Sequence, residues 1–166
     1  MASSPDMAGI ANLGSQLATK LVAYEIGTSR SDYSIHRLVE DIFATTTALG
    51  ELREFLAADA SAALPVYKRA GREAIEDLAT RCGKVYTTII RIIYRASLAA
   101  KVVEGVDFEA LSPQDLKPSR LIAIQANIKW GSVSDAFDDC RDQLRWLKPS
   151  LLLHLQVANI AHLQTT

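Results

Sequence analysis

A chain of 166 residues with 49% hydrophobic and 22% charged side chains is long enough for one well-packed domain and too apolar to be disordered. Its 18 basic and 19 acidic residues leave a net charge of −1, which argues against a general nucleic-acid binder, since such a protein normally shows a basic face. The opening MASSPDMAGI lacks the features of a signal peptide, and no stretch approaches the ~20 strongly apolar residues of a membrane span, so the expected compartment is intracellular and cytoplasmic.

The first six residues read as a frayed end. From Met7 to about Gly27 the spacing predicts a helix with Met7, Ile10, Gly14, Leu17, Leu21 and Tyr24 on one seam. No charge occurs between Met7 and Lys20, and Ala8, Gly9, Ala11, Gly14, Ser15 and Ala18 keep the surface of this helix small. Such a helix suits burial against a bundle. The alternative is a segment that leaves the bundle for a membrane or a partner, with Ile10, Leu17 and Leu21 as the contact residues. GTSRSD over 27–32 is a turn, with Ser31 or Ser34 as the N-cap of the second helix. That helix is expected to run to about Ala58 on Ile35, Leu38, Ile42, Thr45, Leu49, Leu52 and Leu56, widened by Val39, Phe43 and Phe55. Glu40, Asp41, Glu51 and Glu54 lie on its outer face. The short, alanine-rich connection over 59–64 predicts an antiparallel hairpin between the second and third helices.

Residues 65–104 hold the strongest pattern. Gly71, Ile75, Leu78, Cys82, Val85, Ile89, Ile92, Ala96, Ala99 and Val103 alternate steps of four and three, a seam of almost five heptads. Pro65 suits a first helical turn, and Gly105 comes just after the last periodic residue. The result would be a very long third helix of about 60 Å, stable only against partner helices. Residues 1–60 carry four basic and eight acidic side chains, a net −4, whereas 61–104 carry eight and four, a net +4. Complementary neighbouring helices explain this more simply than a basic ligand-binding surface.

GVDFEALSPQDLKP over 105–118 has two prolines and no helical period, and reads as the longest loop. A short fourth helix is expected over 119–130 on Leu121, Ile124 and Ile128, ended by Gly131. Ser132, Val133, Ser134 and Asp135 then open a fifth helix on Phe137, Cys140, Leu144, Leu147 and Leu151, continuing through Leu155, Ala158 and Ala161. Pro149 lies inside this pattern and is expected to kink the helix or split it at Leu147 and Lys148. Residues 149–166 contain no Asp, Glu, Lys or Arg. They stay helical in character almost to the end, so the chain reads as one domain, 1–166, forming the N-terminal part of a longer protein.

Chemistry-bearing residues are sparse. His154 and His162 are eight apart on one helix and cannot share a metal without further ligands, and His36 stands alone. No HExxH, CxxC, GxGxxG, P-loop or GxSxG motif occurs. Asp135, Asp138, Asp139 and Asp142 open a helix, where carboxylates complement the macrodipole. Arg141, Arg145 and Lys148 are expected to pair with these acids or with the second helix. Cys82 and Cys140 fall on seams and read as buried free thiols. No catalytic residue, cofactor or metal is expected, and the chain is not read as an enzyme. The expected fold is all-α, an antiparallel bundle of four to five helices, with Leu38, Ile42, Leu49, Leu52, Leu78, Val85, Ile89, Leu144 and Leu151 in the core.

Four stretches together resemble one family. They are MAGIANLGSQLATKLVAY at the start, TTTALGELREFL in the second helix, ATRCGKVYTTI in the third, and KW followed later by LRWLKPSLLLHLQVANIAH. These resemble the helical N-terminal domain that precedes NACHT or NB-ARC modules, ankyrin repeats and zinc fingers in filamentous fungi, often grouped with HeLo-like domains. Thr47 and Leu49, Cys82, Lys129 with Trp130, and Leu147 with Lys148 ahead of 151–155 match its pattern. Pro149 departs from it, standing where a small polar residue is usual. The resemblance implies a non-enzymatic interaction, oligomerisation and signalling module of a STAND or NLR-like protein. Its partners would be a second copy or other helical domains, without direct nucleic-acid contact, and its location nuclear if zinc fingers lie downstream. The alternative it implies is a membrane-permeabilising cell-death effector that exposes helix 1 through Ile10, Leu17 and Leu21.

Overall fold

A computed structural model of the protein describes residues 6–27, 33–97, 107, 109–117 and 130–165. The described residues are helical with no strand. The helices are α1 (Met7–Gly27), α2 (Tyr33–Ala60), α3 (Arg69–Ser97) and α4 (Trp130–Thr165), with one 3-10 turn at Pro113–Asp115. Asp6 fixes the start of α1: its Oδ1 accepts the Gly9 N–H at 2.7 Å, and its carbonyl accepts that of Ile10. Asp6, the last residue of the expected fray, is thus a cap, and residues 1–5 lie outside the described residues. The second helix begins at Tyr33, which places Ser34 inside it, while Ser31 lies outside the described residues.

Each helix buries one stripe. Their chief pairings are α1 with α2, α2 with α4, α4 with α3, and α3 with α1, so α2 faces α3 across the centre and α1 faces α4. The partners give the directions. Met7 shares a cleft with Leu56 and Ala79, and Gly14 sits beside Thr46 and Tyr86, so α1 runs against α2 and alongside α3. Lys148 meets Asp41 and His154 meets Tyr67, whereas Leu147 lies by Arg81 and Lys84, so α4 runs alongside α2 and against α3. The expected hairpin of neighbouring second and third helices is corrected: α2 and α3 are antiparallel but sit on a diagonal. The two flanks between them are filled by α1 and α4.

The third helix also differs from expectation. It starts at Arg69, because residues 61–68 form an irregular connection held by Asp59. The Asp59 carboxylate is buried and accepts the N–H groups of Val66 (2.6 Å) and Tyr67 (3.2 Å) together with the Arg72 guanidinium (2.7 Å). Arg72 in turn donates to the carbonyls of Leu56 and Tyr67. The loop's polar backbone groups are thereby met from α2 and α3. The described part of α3 is 29 residues against 36 for α4, and the expected extension to Glu104 lies outside the described residues. Of the short helix expected over 119–130, residues 119–129 also lie outside the described residues, and Trp130 belongs to α4. Gly131 ends nothing: α4 begins at Trp130 and runs through Pro149 without a break in the helix, so the expected split is not present.

Leu38, Ile42, Leu49, Leu52, Val85, Ile89, Leu144 and Leu151 are buried in the core as expected, with Leu78 only partly so. On α3 the buried line is Ile75, Ala79, Cys82, Tyr86, Ile89 and Ile93, rotated from the seam through Leu78 and Ile92. Tyr86 decides the rotation. Its hydroxyl crosses the centre to Thr45 Oγ1 (2.6 Å) and Thr46 Oγ1 (3.2 Å), while Thr45 also reaches the carbonyl of Asp41. Burial pushes the Tyr86 phenol above its ordinary range, with the nearby Cys82 adding to the shift. Gly14 makes this approach possible, because a Cβ there would run into Thr46 Oγ1 and come within 2.7 Å of the Tyr86 ring. Asp41, expected on the acidic outer face, is buried and pairs with Lys148. Phe43, expected to widen the core stripe, is exposed instead. Gly14→Ala should therefore lower unfolding free energy by about 1–3 kcal/mol, measured by urea denaturation, through overpacking at the centre.

Candidate interaction surface

Ile10, Leu17 and Leu21, the residues expected to serve a membrane or partner, are 1%, 0% and 2% exposed. They pack in the core with α2 and α3, so in this conformation α1 offers no such face. The surface that is open lies on α4. Leu144, Leu147, Leu151 and Ala158 bury one side of that helix. About 150° around it, Trp146, Pro149, Leu153, Val157 and Ile160 succeed one another at steps of three and four. Trp146 is 83% exposed, Leu153 60% and Ile160 57%, with Val157, Leu152 and Leu163 also exposed.

Three polar contacts hold α4 in this rotation. Lys148 Nζ donates to Asp41 Oδ1 at 2.9 Å on the α2 side, as the basic line on this helix predicts. Tyr67 from the α2–α3 connection donates to the His154 carbonyl at 2.9 Å and lies 3.1 Å from His154 Nδ1. Its ring also meets Phe55 edge-on at 5.9 Å. Desolvation, with the Asp59 charge as a lesser cause, raises the Tyr67 phenol above its usual range, which keeps it a neutral donor. Between α2 and α4, Arg37, Glu40, Asp41, Arg141 and Arg145 line a polar cleft of about 230 Å³. Arg141 pairs with Asp138 at 3.3 Å on its own helix, and its buried Nε has no partner among the described residues.

Cys82 and Cys140 are free and buried, and burial pushes their thiols up to about 12 and about 11. No group of three or more His, Cys, Asp or Glu among the described residues is placed to hold a metal, and no described helix is long and apolar enough to cross a membrane. No family model, no curated protein and no solved structure matches the chain.

The exposed stripe escapes a reading by spacing alone because Trp146 and Leu153 are overshadowed by the stronger seam through Leu144, Leu147 and Leu151. The signal is nonetheless present: 149–165 is rich in Leu, Ile and Val on every side and carries no Asp, Glu, Lys or Arg. A helix with apolar residues beyond its buried stripe offers a second face to a partner. Leu17→Glu should unfold the domain, whereas Leu153→Glu should leave the circular dichroism spectrum and melting temperature nearly unchanged. Loss of fold in the Leu153 variant would show that α4 is covered on that side.

Proposed function

We propose that this chain is a non-enzymatic protein-interaction and oligomerisation module. Its resemblance to the fungal N-terminal domains then makes it the signalling end of a multidomain protein. The observation that carries this reading is the apolar stripe on α4, left open by a bundle whose other helices bury theirs. Soluble monomers seldom expose a continuous apolar patch of more than a few hundred Å², and larger ones mark association surfaces. The stripe belongs to a helix locked by Lys148, Tyr67 and the core, so it is a rigid face and needs no rearrangement to bind. Helical stripes of this spacing recognise other helices, which makes the partner a second copy or another helical domain.

The membrane-permeabilising reading draws no support from the packing, since Ile10, Leu17 and Leu21 would first have to leave the core. Sedimentation equilibrium from 1 to ~100 μM should give an average mass that rises with concentration, as a micromolar dissociation constant requires. A constant monomer mass over that range would sink the oligomerisation reading. The folded wild type should leave dye-loaded anionic vesicles intact. Dye release that disappears in a still-folded helix 1 variant would reverse the order of the two readings.

A further inference from the structure

We propose that the α4 stripe is the seat of a two-fold, antiparallel pairing between the last helices of two copies, with Leu153 meeting its own counterpart at the axis. This rests on the oligomerisation reading and specifies its partner and register.

The spacing is what selects the geometry. Trp146, Pro149, Leu153, Val157 and Ile160 are separated by three, four, four and three residues, an order that reads the same from either end. A two-fold interface demands that kind of self-complementarity, because each residue and its contact must exchange roles across the axis. With Leu153 on the axis, Trp146 of one copy falls at the level of Ile160 of the other, and Pro149 at the level of Val157. The largest side chain then meets a β-branched aliphatic, and the flat proline ring meets the smaller valine. Residues from 146 to 160 cover about 21 Å of helix, four turns of continuous contact.

Charge points to the same direction. Every Asp, Glu, Lys and Arg of α4 lies at or before Lys148, and residues 149–165 have none. Antiparallel pairing sets Arg145 opposite Ala161 and Asp142 opposite Gln164, so no like charges meet. A parallel pair in register would stack Arg145 on Arg145 and Asp142 on Asp142, which is unfavourable. The area is adequate as well. Trp146, Leu153, Val157 and Ile160 alone expose on the order of 500 Å² per copy, and Pro149 with the polar rim residues adds to this toward the ~800 Å² per partner of a stable interface.

Disulfide trapping in the full chain tests the register. Leu153→Cys should form a covalent dimer on mild oxidation, because the two thiols would face each other across the axis. Trp146→Cys alone should not, its two copies lying about 20 Å apart, while the Trp146→Cys, Ile160→Cys double variant should. Asn159→Cys, exposed on the helix flank, sets the background rate. Native Cys82 and Cys140 are buried and stay out of the reaction. Leu153→Asp should keep its fold by circular dichroism and weaken self-association at least about tenfold in sedimentation. If the wild type self-associates but Leu153→Cys traps no faster than Asn159→Cys, the register is overturned and the oligomerisation reading stands. A wild type that stays monomeric to ~100 μM overturns both. Flotation of a monomeric wild type with phosphatidylserine vesicles, lost in Leu153→Asp, would assign the stripe to lipid and overturn the pairing.

Discussion

The hydroxyl of Tyr86, held between Thr45 and Thr46 at the centre of the bundle, is the contact on which the arrangement of the helices depends. A buried phenol without partners would cost about 1–3 kcal/mol, so α3 can occupy only rotations that deliver this group to α2. Thr45 has its own proton committed to a backbone carbonyl, leaving its oxygen to accept from Tyr86, while Thr46 donates to the same phenol. Three helices must therefore meet at one level. The third is α1, which can come this close only because Gly14 has no side chain. Once Tyr86 points inward, Ile75, Ala79, Cys82, Ile89 and Ile93 turn inward with it by helical geometry, and the seam through Leu78 and Ile92 turns to the edge.

Polar contacts at the periphery set the remaining helix. Asp59 and Arg72 close the connection after α2 and so place Tyr67, whose hydroxyl then reaches α4 at His154. Lys148 reaches α2 at Asp41 from one turn and a half earlier on α4. These two ties flank Leu151, which is buried against the core. A helix fixed on both sides of a buried leucine has no freedom to roll. The outward position of Leu153 is thus a consequence of Asp41, Asp59 and Tyr67 as much as of the core itself.

How far the sequence can be read is governed by the same physics. The all-helical bundle, the spans of its first two helices and nearly all the core leucines and isoleucines are legible, because apolar spacing reports directly on a buried face. The bounds of α1 read as they stand, Met7 to Gly27. Rotation is not legible on α3, where Ile75, Cys82 and Ile89 belong to two heptad seams at once. The choice between Leu78 and Ala79, or Ile92 and Ile93, rests on Thr45 and Thr46, some forty residues away. Polar residues that work by tertiary partners read by default as solvent-facing, and Asp41 is the clearest case. Pro149 reads as a kink or a split, yet the helix continues through it, and it lies on the exposed face, where water can serve the carbonyl that its missing N–H leaves free. The α4 stripe is hidden by its own composition: where ten of the seventeen residues over 149–165, Pro149 included, are apolar and none is charged, periodicity separates the buried face from the open one poorly.

The two apolar helices differ in what it takes to use them. Presenting α1 to a bilayer or a partner means withdrawing Ile10, Leu17 and Leu21 from the core, and at 1.5–3 kcal/mol each this costs about 5–9 kcal/mol before any cavity is counted. That is comparable to the whole stability of an ordinary domain, about 5–15 kcal/mol. It would also empty the space beside Tyr86 that only Gly14 fills without collision. A ligand acting through α1 must supply that free energy as differential affinity, which reduces its apparent binding by the same factor. The face of α4 carries no such cost, since Trp146, Leu153 and Ile160 are already in water and their burial is gain from the first contact. Binding energy available without rearrangement is realised first, so a partner gains more from the open face of α4 than from the buried face of α1.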